Sequence, residues 1–141
     1  MKKIAFIVFI ACIGTAVFAQ DEDPEPKKFD ATWHRLVLVD FKPGKAGEAQ
    51  ALIEKYESAS TKAGTPMPQQ FWFETGPYDM MLIWDLKNGP SDLEWDWSPD
   101  GVKWWNAFVA QEGSKEAAEE VQKNYSSLVS GSTSQILRKD K

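Results

Sequence analysis

The chain has 141 residues, a formal net charge of −5 and an apolar share of 43%, with seven Trp and eight Phe. That aromatic load excludes an intrinsically disordered chain, and the acidic balance without a basic patch excludes a protein that tracks nucleic-acid phosphates. The single cysteine, Cys12, excludes an internal disulfide, so the fold has to be held by packing or by association with another copy.

Lys2 and Lys3 open the chain, Ile4 to Phe18 is an apolar run too short to span a bilayer comfortably, and Val17-Phe18-Ala19 ends it on small residues. This pattern predicts a secretory signal peptide over residues 1–19, cut after Ala19. An uncleaved anchor and lipidation at Cys12 are the alternatives. The short run opposes the first, and its continuation past Cys12 through Ile13 and Val17 opposes the second. The expected protein is exported, periplasmic or secreted, with no membrane attachment after cleavage. Asp21 to Lys28, DEDPEPKK, is acidic, Pro-broken and free of apolar residues, which predicts a disordered tether over 20–31 and one domain over 32–141.

Trp33 to Phe41 reads as a first strand, with Leu36-Val37-Leu38-Val39 suited to a sheet interior. Lys42-Pro43-Gly44 ends it. A helix is expected from about Lys45 to Ala63, with Leu52, Ile53, Tyr56, Ala59 and Ala63 on one face and Gly64 as its left-handed terminator. Gln69 to Lys87 then reads as a hairpin turning at Gly76-Pro77. Its second arm has one wholly apolar parity, Tyr78, Met80, Leu82, Trp84 and Leu86. The other parity, Asp79, Met81, Ile83 and Asp85, is apolar in the middle. Such a strand needs cover on both faces, and a chain this short is expected to borrow one cover from a second copy.

Asn88 to Asp100 reads as a loop, and Ser98-Pro99-Asp100 as a helix start with capping oxygen, first-turn Pro and an acid at the positive end. Val102, Trp105, Phe108 and Val109 share a helical side. Gly113-Ser114 breaks the run, and Ala117, Ala118, Val121, Tyr125, Leu128 and Val129 continue it to an expected stop at Gly131. Ser134 to Lys139 is the expected last strand. The order predicts an α+β domain of ferredoxin-like type, βαββαβ, with helices on one face of a four-stranded antiparallel sheet.

The His34 strand followed by FKPGKAGEAQALIEKY resembles the opening of stress-responsive dimeric α/β-barrel (Dabb) domains, and ETGPYDMMLIWDL resembles a hairpin found in that superfamily, including NIPSNAP-like proteins. The resemblance covers roughly residues 32–139 and its motifs are mostly structural. It implies a homodimeric α/β barrel in which two sheets pair face to face, with a pocket between each sheet and its helices or beneath the loops. Activities in the superfamily include cofactor-free monooxygenases, cyclases and haem enzymes. The cyclase type pairs a first-strand His with a second His, which this chain lacks, and no haem-ligating His lies further along. No cofactor is therefore expected.

The residues leave three functions open. A small-molecule binder would use aromatic walls, with Trp72, Trp84, Trp105 and Phe108 as the candidate ligand-binding side chains. A cofactor-independent monooxygenase or cyclase/lyase acting on an apolar or aromatic molecule would use His34 as base with Tyr78 or Asp79 as partner. A non-catalytic interaction module would use the Trp95-Asp96-Trp97 loop. Each candidate also has a structural reading: a strand-end His at the sheet edge, a turn-side Asp bonding backbone amides, and Trp side chains packed in a dimer interface. Asp40, Glu74, Asp79 and Asp85 are acids that can converge on His34 only if the fold brings them there, and spacing alone supports no metal site. No phosphate-cradling glycine loop, Gly-x-Ser-x-Gly turn or Cys-His pair is present.

Overall fold

The computed structural model describes residues 25–141, so the expected signal peptide lies outside the described residues. The elements are β1 (Ala31–Phe41), α1 (Ala46–Ala63), β2 (Gln69–Trp72), β3 (Met80–Leu86), a 3-10 turn (Gly89–Leu93), α2 (Pro99–Glu112), α3 (Lys115–Leu128) and β4 (Val129–Asp140). They build one antiparallel sheet in the order β2-β3-β1-β4, the ferredoxin-like arrangement. No described helix is long and apolar enough to cross a membrane.

The punctuation residues act as their chemistry demands. Gly64 ends α1 at φ 64°, a left-handed conformation that costs a side chain with a Cβ. The Ser98 hydroxyl accepts from the Gly101 amide and opens α2, and Ser114 does the same from Ala117 to open α3.

Strand register assigns the two faces. Cross-strand pairs put Val37, Val39 and Phe41 of β1 with Met80, Leu82 and Trp84 of β3 on the helix-covered side. Leu36 and Leu38 of β1, Met81 and Ile83 of β3, Phe71 of β2 and Leu137 of β4 fall on the other side. No described helix covers that second side. The apolar core is in two clusters. Val39, Phe41, Ala49, Ile53, Met80 and Leu128 join the sheet to the first half of α1 and the end of α3. Ala59, Phe108 and Ala118 join the second half of α1 to α2 and α3, with Tyr56, Trp104 and Trp105 against them.

The last strand differs from expectation. It begins at Val129, directly after α3, and Gly131 lies inside it opposite Asp40 instead of ending the helix. A β-bulge between Asp40 and Phe41 takes up the register at this junction. Most of β4 is exposed on both faces, so its Ser, Thr and Gly residues carry no apolar alternation to read. The expected loop after the hairpin also contains an ordered turn, in which Asp92 accepts from the backbone amide and side chain of Asn88.

Candidate functional site

A groove of about 750 Å³ opens between the helix side of the sheet and the surrounding loops. Its origin is a change in what α1 packs against. In its first half Ala49 and Ile53 seat on the sheet. In its second half Ala59 turns to Phe108 and Ala118 of α2 and α3. The helix-facing side chains at the end of β3 therefore have no helix seated on them. Met80 is fully buried, whereas Trp84, on the same side of the same strand, is 37% exposed.

Leu82, Trp84 and Leu86 form the floor. Tyr56 and Tyr125 close the inner end with their rings 5.6 Å apart, and burial pushes both phenol pKa values upward. Both hydroxyls stay protonated at neutral pH and can offer hydrogen bonds but no phenolate base. Trp104 is fixed beside them: its indole N–H donates to the Tyr56 carbonyl at 3.2 Å, and its ring stacks on Phe108 at 5.1 Å. Met67, Leu93 and Trp95 stand exposed at the mouth. The volume lies inside the range of roughly 300–1,000 Å³ occupied by small-molecule sites.

The polar groups of the wall fall into two sets. Asp92 is held by Asn88, whose backbone N–H is the main cause of a pKa below the usual carboxylate range. Asp100 pairs with Lys103 at 3.3 Å, while Asp85, at the edge of the groove, turns its carboxylate to His34 on the other side of the sheet. Arg35, Glu57 and Lys87 also line the groove without an ion-pair partner among the described residues. No group of three or more described His, Cys, Asp or Glu side chains is arranged to hold a metal ion.

Of the four expected ligand-binding residues, Trp84 alone lines this groove. Trp72 stacks on Phe41 at 6.1 Å within the sheet cluster, and Phe108 is fully buried. Trp105 packs near Trp97 and lines a separate, shallower groove of about 330 Å³ with Val102 and Lys115. Groove residues not singled out from sequence include Tyr56, Leu82, Tyr125 and Arg35. Their spacing marks them only as helix or strand faces.

His34, Tyr78 and Asp79 do not come together. His34 lies on the helix-free side, with Nδ1 2.8 Å from Asp85 Oδ1 and Nε2 3.2 Å from Thr32 Oγ1. An ionised Asp85 only accepts, so Nδ1 carries the proton and Nε2 faces the Thr32 hydroxyl. Asp79 is engaged at the other end of β1. Its Oδ2 accepts from the Phe41 amide at 2.7 Å and its own amide donates to the Val39 carbonyl. Val39 is five residues from His34, roughly 17 Å along the strand. Asp79 thus bonds a backbone amide beside the bulge, and half-buried Tyr78 precedes it in the turn. Among the four acids considered, Asp85 is the one that meets His34.

No family model matches the chain, and no curated protein matches it. Among solved structures, a NIPSNAP family protein of unknown function from Agrobacterium tumefaciens is similar over 79% of this chain and 91% of its own, with a TM-score of 0.51 and 14% identity. A second NIPSNAP family protein from the same organism is similar over 75% of this chain and 90% of its own, with a TM-score of 0.50 and 14% identity. The chain therefore has the ferredoxin-like α/β fold of these NIPSNAP proteins, and at this identity the likeness is one of fold.

Proposed function

We propose that the protein binds a small apolar or aromatic molecule in the groove over β3, as an exported homodimer. The observation that carries the binding is the groove itself: an apolar floor of strand side chains left free by α1, with aromatic walls and an exposed mouth. The N-terminal sequence supports export. The apolar helix-free side of the sheet supports pairing of two copies, since a patch built from Leu36, Leu38, Met81, Ile83 and Phe71 is costly to leave in water.

The neutral solvatochromic dye Nile red tests the binding. Uptake with a blue-shifted emission is expected, weakened at least tenfold by Trp84→Ala, while Val102→Ala in the shallower groove leaves it unchanged. Equal loss in both variants, or no uptake, contradicts the reading. Sedimentation tests the pairing: a dimer is expected, and Leu38→Glu, which sets a charge on the helix-free side, is expected to yield monomer.

One observation favours a second reading, cofactor-independent catalysis. Asp85 orients His34 as a base whose free nitrogen faces Thr32, although the groove is on the opposite side of the sheet. A base in the dimer interface would act only in the assembled form. His34→Ala would then abolish turnover of an apolar substrate without altering dye uptake.

A further inference from the structure

We infer that the groove takes an amphipathic monocarboxylate, an apolar or aromatic body carrying one carboxylate, and that Arg35 holds the carboxylate. This deepens the reading of the groove as a small-molecule site and rests on it.

The helix-facing parity of β1 runs Phe41, Val39, Val37 and then Arg35, so a cation interrupts an otherwise apolar stripe just where α1 leaves the sheet. Its cross-strand neighbour is Trp84 of the groove floor. The Arg35 Nε donates to Ser134 Oγ at 2.9 Å, an exposed contact that restrains the guanidinium at that nitrogen. Its two terminal nitrogens have no hydrogen-bond or ion-pair partner among the described residues. A guanidinium fork held at one nitrogen and free at the others matches the two oxygens of a carboxylate.

The surrounding acids agree with that assignment, and Lys87 is a second unpaired cation of the lining, so the anchor is decided by whether the preference survives Arg35→Gln. Asp92 and Asp100, which also line the groove, are taken by Asn88 and Lys103, and the Asp85 carboxylate lies on the helix-free side of the sheet against His34. Glu57 is the unpaired acid of the lining, and it lies on α1, an element separate from the sheet that carries Arg35 and Trp84. With Arg35 beside the Trp84 floor, the carboxylate sits on β1 and the apolar body extends across Leu82 and Trp84 toward Trp104.

The test uses the whole protein loaded with Nile red, displaced by decanoate, decanol or decylamine below their micelle concentrations. Decanoate is expected to displace the dye at roughly tenfold lower concentration than decanol, the size of one exposed charge-assisted contact. Raising salt should shrink the preference. In Arg35→Gln the decanoate-to-decanol ratio should fall to about one, and Arg35→Lys should keep part of it. Reading the ratio cancels any general loosening of the groove, which moves both competitors together. Equal potency in the wild type, a preference that survives Arg35→Gln, or a preference for decylamine would each overturn the assignment, the last by placing the anchor at Glu57. Failure of Nile red to bind at all defeats the groove itself. Dye binding without a headgroup preference defeats only Arg35.

Discussion

The two ends of the helix-facing side of the sheet are laid down by the same strands, yet α1 seals one and leaves the other open. At the sealed end Val39, Phe41 and Met80 meet Ala49, Ile53 and Leu128. At the open end Trp84 and Leu86 of the same β3 parity face a groove, and Arg35 takes the place of another aliphatic residue on β1. Apolar periodicity thus specifies a face but not whether that face is filled. A helix that spends its second half packing on other helices converts a core stripe into a site.

The largest effect that sharpens this contrast is expected from Phe108→Ala. Phe108 is fully buried where α1 meets α2 and α3, and its loss should cost about 3–5 kcal/mol in urea unfolding. By contrast Trp95→Ala, at a 57% exposed position on the groove mouth, should change stability by no more than about 0.5 kcal/mol while weakening dye uptake. Equal destabilisation by the two would break the distinction between filler and wall.

Asp79 gives the next effect. Removing its carboxylate in Asp79→Ala strands the Phe41 amide beside the bulge, and a cost of about 1–3 kcal/mol is expected from the same unfolding measurement. Asp79→Asn keeps an acceptor and should cost less. A loss of ligand affinity without loss of stability would instead return Asp79 to the site.

The fold was largely legible, and particular residues show why. Gly64, Ser98 and the Gly113-Ser114 break announced helix ends because their conformations or capping atoms are needed there whatever the tertiary packing. The parity of Met80, Leu82, Trp84 and Leu86 announced a wholly apolar strand side, and register places it toward the helices. The start of β4 was hidden because Val129 continues the α3 stripe, and because an edge strand exposed on both faces needs no apolar alternation. The site was less legible. Nothing local separates fully buried Met80 from Trp84, since the difference lies in where α1 points. Arg35 reads in sequence as an ordinary polar interruption, and only register places it beside Trp84. His34 had four acids to choose from, and strand pairing opposite Asp85 made the choice.

The smallest expected effect concerns pH at the far side of the helix layer. Glu112, 11% exposed, accepts from Lys55 at 2.7 Å, and that bond is the main cause holding its carboxyl below its ordinary value. A depressed folded-state pKa contributes stability that is fully present above the unfolded value of about 4.5 and is lost as pH falls through the folded one. Wild type should therefore be more stable than Glu112→Gln at neutral pH, and the gap should close on acidification below about 4.5. A gap that is constant with pH would assign the effect to packing.

The groove itself is tested most directly by following the indole N–H resonances of the seven Trp residues during a titration with decanoate. Trp84, Trp95 and Trp104 line the groove. Their signals should move together and saturate, while those of Trp72, stacked on Phe41, and of Trp97 and Trp105 at the shallower groove stay in place. Movement confined to Trp97 and Trp105, or no saturable movement at all, would contradict a binding site over β3.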